Sequence, residues 1–118
     1  MDGDALRGHL DMLLLTAIGA GDVYGYGLIR GLRDRSDGVI ELPEGTVYPA
    51  LHRLYRSGYV TRDEQWVDGR QRRTYALTDD GRALLAAQVD LWNAVQKAVA
   101  AVLDSTSTTK TCSGRASR

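Results

Sequence analysis

Five arginines stand in two stretches that contain no acid, and they are the most chemically pointed feature of this 118-residue chain. Between Gly45 and Gly58 the basic residues are Arg53 and Arg56; between Arg70 and Tyr75 they are Arg70, Arg72 and Arg73. A guanidinium with no neutralising neighbour suits phosphate oxygens, which it meets with two parallel bonds, and it also reaches the O6 and N7 edge of guanine. Around the first pair stand Thr46, Tyr48, Pro49 and His52. The hydroxyls can bond phosphate and the imidazole can reach a base edge. An exposed arginine is ordinarily just solvated, but this local excess of positive charge favours contact with nucleic acid. Enzyme chemistry has no foothold: there is no paired-carboxylate signal, nucleophile elbow or phosphate-cradling glycine loop. Neither His9 nor His52 has a second His or Cys at metal spacing, so no metal and no cofactor is expected.

These side chains need elements to aim them. A helix is expected over about Leu6–Ala20, where Leu6, Leu10, Leu13, Leu14, Ala17 and Ile18 recur at three- and four-residue steps, with Asp4 available as its cap. A second helix, about Tyr24–Arg35, carries Leu28, Ile29 and Leu32; Gly25 and Gly27 in its first turn suggest close packing on a neighbour. Asp37-Gly38 marks a turn, and Val39–Leu42 has the look of a short strand. The third helix, about Glu44–Ser57, turns Val47, Leu51 and Leu54 inward, which leaves Thr46, Tyr48, Pro49, His52, Arg53 and Arg56 outward or flanking. Pro49 calls for a late start or a bend, and Gly58 for a left-handed stop.

Next comes a hairpin. Tyr59–Trp66 alternates, Asp68-Gly69 is a two-residue turn signal, and the return strand covers about Arg72–Leu77. Thr78 then caps a last helix with Asp79 and Asp80 in its first turn. That helix is expected to reach Leu103 with two adjacent apolar ridges, more than a lone chain ordinarily leaves in water. A second copy of the chain would cover it, with Leu85, Leu91, Trp92, Val95, Val99 and Val102 at the contact. From Asp104 to Arg118 the composition turns to Ser, Thr and scattered basic residues, which reads as disorder.

Composition limits the setting. Fifteen basic residues balance fifteen acidic ones, so the chain is no general polycation, and any nucleic-acid footprint is local. The acidic start (Asp2, Asp4) is unlike a secretory leader, and no apolar run approaches the ~20 residues of a membrane span. Cys112 is the only cysteine, which fits a reducing cytoplasm and gives it no assigned role.

Helix, helix, turn, helix, hairpin, long helix is the order of a winged helix-turn-helix, an α+β but mainly α fold. The residues then make a more specific match. Tyr24-Gly25-Tyr26-Gly27-Leu28-Ile29, the stretch Leu42–Leu54, Gly58-Tyr59-Val60 and the stretch Gly69–Thr78 resemble the PadR family of transcriptional regulators. The resemblance spans roughly residues 6–103, and the short end of the chain is similar to the family's small subgroup. It implies a winged helix-turn-helix over residues 1–78, a dimerisation helix over 79–103 and a tail over 104–118. It also implies a homodimeric repressor on a palindromic operator in double-stranded DNA, released by a small aromatic effector. In some small members a tryptophan of the last helix stacks on that ligand, and Trp92 is its counterpart. The absence of phenylalanine departs from this picture, because an aromatic cage would have to be built from tryptophan and tyrosine. The alternative reading, supported by the zero net charge and by Asp34, Asp37, Glu41 and Glu44, is a winged module that binds another protein and not DNA.

Overall fold

The computed structural model describes residues 7–21 and 24–107. The expected cap at Asp4, the start at Leu6, Cys112 and the tail beyond Ser107 lie outside the described residues. The elements run α1 (Leu10–Gly19, preceded by a 3-10 turn at Arg7–His9), α2 (Gly25–Arg35), α3 (Glu44–Arg56), β1 (Val60–Val67), β2 (Arg70–Leu77) and α4 (Asp79–Ser107). The chain divides into two units, one ending at Ala86 and one beginning at Ala87.

In the first unit the core is a single apolar cluster. Leu14, Leu15, Ala17 and Ile18 of α1 meet Leu28 and Leu32 of α2, Val47, Ala50, Leu51 and Leu54 of α3, Leu42 of the linker before α3, Val60 of β1 and Tyr75 of β2. Leu10, Leu13, Ile29 and Ile40 pack on its margin, as do Tyr59, Leu77, Leu84 and Leu85. Leu15 is fully buried although it lies off the expected stripe, because α1 is covered by both of the other helices and by the hairpin.

The strand expected at Val39–Leu42 does not form. The segment is an extended linker whose alternation has another cause: Leu42 enters the core and Ile40 packs beside it. Its entry is set by the end of α2, where Gly38 takes φ 82° and donates to the Arg33 carbonyl, and Ser36 Oγ accepts from Ile40 N at 2.8 Å.

The helix carrying Pro49 starts at Glu44, not late. Thr46 N and Val47 N both donate to the Pro43 carbonyl, so the first turn closes before the proline is reached. The N–H that Pro49 lacks deprives only the Gly45 carbonyl, and both residues are exposed, where water can take over. At the other end Gly58 takes φ 84° and Tyr59 N reaches back to the Leu54 carbonyl, the expected stop.

β1 and β2 form an antiparallel hairpin in register Val60↔Leu77 through Val67↔Arg70. Its turn is Asp68-Gly69 with φ 52° and 76°, both left-handed, as a tight two-residue connection requires. Tyr24 adds an isolated antiparallel bridge to Thr74, which ties the entry of α2 to the return strand. Thr78 caps α4: its Oγ accepts from Gly81 N at 3.0 Å and donates to the Gly58 carbonyl at 2.7 Å. Gly81 is obligatory there, since a Cβ would run into the backbone oxygen of Tyr59.

In the second unit α4 continues past the expected end at Leu103 as far as Ser107. Leu91, Trp92, Val95, Val99, Val102 and Leu103 recur at three- and four-residue steps along it and are exposed. No helix among the described residues is long and apolar enough to cross a membrane.

Candidate nucleic-acid interface

The outward side of α3 follows from what it buries. Val47, Ala50, Leu51 and Leu54 face the core, so the opposite face is the stripe Gly45, Pro49, His52 and Arg56, all exposed. That stripe carries no carboxylate. Thr46 and Arg53 flank it on one side, Tyr48 and Tyr55 on the other. Val47, Leu51 and Leu54 have essentially no solvent exposure, so the helix presents this face from a rigid seat.

Tyr48 is 40% exposed, and the rest of its ring lies on α2. The seat is Gly25, where a Cβ would stand 2.5 Å from Tyr48 Cε1 and 2.9 Å from its hydroxyl. The close packing expected of the α2 glycines is therefore real at Gly25 and absent at Gly27, which has nothing within 4 Å of a Cβ. Burial, and then the nearby Glu44 carboxylate, pushes the Tyr48 phenol above its ordinary value. It stays protonated and so remains a donor.

Arg53 flanks the outward stripe, but its fork is occupied. Nη1 and Nη2 donate to the two oxygens of Asp11 on α1 at 2.9 and 2.7 Å, a bidentate pair that raises the arginine's proton affinity further. Arg56 lies on the stripe itself. Beside it the structure adds a cation the arginine count had passed over. Arg62 of β1 lies 4.1 Å above the ring of Tyr55, and its Nη1 is 3.4 Å from His52 Nδ1. The signal was available, since Arg62 shares a strand face with Val60, the face that turns to α3.

Every charged residue in the return strand of the hairpin is basic: β2 carries Arg70, Arg72 and Arg73, while β1 carries Arg62 together with Asp63 and Glu64, and the turn carries Asp68. Arg73 sits opposite Glu64 in register and its Nε is 3.8 Å from that carboxylate. Arg72 sits opposite Gln65 and faces the ring of Tyr24 at 5.8 Å. Two shallow grooves of about 160 and 330 Å3 open there, both lined by Tyr24, Tyr26 and Arg72; Arg73 and Tyr48 reach the smaller and Arg30 the larger. Tyr24 and Tyr26 at the entry of α2 thus stand beside Arg72 of the return strand. Among the described residues no three His, Cys, Asp or Glu side chains converge as a metal site.

A helix with one uncovered polar face, set beside a hairpin whose return strand is basic, is the geometry of a winged helix-turn-helix. The family model for the PadR-like transcriptional regulators matches residues 14–87. The chain belongs to that family. A protein of Lysinibacillus sphaericus is 31% identical over 97 residues, covering 81% of this chain and 89% of its own length. A transcriptional regulator of Mycobacterium tuberculosis is 51% identical over a shorter stretch of 41 residues, 35% of this chain and 38% of its own. Among solved structures, a transcriptional regulator from Clostridium thermocellum superposes with a TM-score of 0.75 at 27% identity, covering 81% of this chain and 94% of its own. A PadR-like transcriptional regulator from Bacillus cereus gives 0.73 at 28% identity, covering 85% and 96%. As a PadR-like regulator the chain is a winged-helix transcriptional regulator whose family acts on DNA, with a long last helix following the wing.

Proposed function

We propose that this PadR-like chain is a homodimeric, sequence-specific repressor, acting in the cytoplasm on a palindromic operator. The observation that carries the reading is the acid-free stripe of α3, Pro49, His52 and Arg56, exposed beside the basic return strand of the hairpin. The major groove is about 12 Å wide and admits one helix, so His52 and Arg56 read base edges while Thr46 and Tyr48 donate to phosphates on either side. Arg70, Arg72 and Arg73 lie along the backbone as the wing. Residues 1–78 act as the DNA-binding part, the helix from 79 joins two copies through Leu85, Leu91, Trp92, Val95, Val99 and Val102, and the last residues form a tail. A planar aromatic effector stacks on Trp92 of α4 and releases the DNA; the 37% exposure of Trp92 supports a role at an interface.

The test is a salt titration of binding to mixed-sequence duplex DNA. Each phosphate contact adds about 0.9 to the slope of log affinity against log salt, so Arg72→Ala weakens binding to every sequence and flattens the slope by about that amount. Arg73→Ala does the same more weakly, because Glu64 already opposes part of its charge. Unchanged binding in both variants removes the wing from the interface. Failure of the unaltered chain to bind any duplex favours a protein-binding module instead.

A further inference from the structure

The pair between Arg53 and Asp11 crosses from the DNA-facing helix to the element behind it, and neither partner is deeply buried: the arginine side chain is 55% exposed and the aspartate 27%. Both oxygens of Asp11 meet both terminal nitrogens of Arg53, at 2.7 and 2.9 Å. That is the two-point seat a phosphate group would otherwise take on the same guanidinium. Arg53 lies one turn from Arg56 and one turn from Pro49, immediately beside the outward stripe, so an unrestrained side chain there has DNA within reach. Resting on the DNA-binding reading above, we infer that Asp11 is an intramolecular stand-in for phosphate that withholds Arg53 from the DNA backbone and so lowers sequence-independent affinity. The pair makes Asp11 a positioning residue that sets the level of sequence-independent affinity. Non-specific binding comes from phosphate contacts, and removing one available arginine from that pool weakens all sites alike while leaving the base-reading face of α3 intact.

The experiment measures binding of a labelled mixed-sequence duplex between about 50 and 200 mM salt, with folding of each variant followed by circular dichroism. Asp11→Asn releases Arg53, raises affinity for the duplex and steepens the salt slope by about 0.9, one added phosphate contact. Arg53→Gln alone leaves the slope where it was, because its charge is already engaged. The double variant Asp11→Asn, Arg53→Gln returns the slope to that of the unaltered chain. Asp90→Asn on α4 changes the net charge equally and leaves the slope unmoved. A slope unchanged by Asp11→Asn, or lowered by Arg53→Gln alone, overturns the inference while binding by the unaltered chain keeps the DNA-binding reading. If the unaltered chain binds no duplex, that reading fails and takes the inference with it.

Discussion

Gly25 and Gly27 occupy the same turn of α2 and differ only in what lies above them. A methyl at Gly25 meets the Tyr48 ring at 2.5 Å, whereas a methyl at Gly27 meets open space. Gly25→Ala therefore forces Tyr48 off its seat and costs roughly 1–3 kcal/mol, the usual penalty for overfilling a packed contact. Gly27→Ala removes backbone freedom from the unfolded chain and stabilises by roughly 1 kcal/mol. Urea unfolding midpoints, shifted in opposite directions, check both. Two glycines in a helical stretch were legible as an anomaly; which of them mattered was not, because the answer depends on a residue of another helix. The same limit governs the cations. Arg53 and Arg56 look equivalent when acids are counted along the chain, yet Asp11, distant in sequence, reaches only the first. Arg62 is followed directly by Asp63 and Glu64, which hides it when acids are counted along the chain, though its strand face turns it toward Tyr55 and His52.

Elements bounded by strong local chemistry were readable almost to the residue. The hairpin follows from Asp68-Gly69, the end of α3 from Gly58, and the start of α4 from Thr78, each a conformation or cap that few residues supply. Alternation without such bounds misled at Val39–Leu42, where two inward side chains of a linker mimic a strand. In α4, apolar side chains repeat over many turns beyond the first unit: Leu91 is 65% exposed, Val99 50% and Val102 64%. On the proposed homodimer a partner copy covers this face and couples association to folding, so the melting temperature is expected to fall on dilution. Substituting Val95→Asp and Val99→Asp together sets charges into the proposed contact, where they lack partners. The doubly substituted chain is expected to sediment as a monomer at concentrations where the unaltered chain is a dimer, and to lose operator affinity.

The balanced charge of the whole chain, with Lys and Arg equal in number to Asp and Glu, means that attraction to DNA is a matter of placement. Basic groups gather on α3 and β2, with Arg30 of α2 and Arg62 of β1 beside them, and two of the nearby acids, Asp11 and Glu64, each face an arginine. A two-fold pair of such chains sets two α3 helices against two half-sites, about one helical turn or a simple multiple apart. The direct test is methylation interference on a genomic fragment retained by the purified protein. Guanine N7 lies in the major groove, so methylation there blocks a seated helix. The account predicts interference at guanine N7 in two clusters related by a dyad and separated by about 10 base pairs or a multiple of that. Binding that tolerates N7 methylation throughout the fragment would contradict it, because no α3 would then be seated in the major groove.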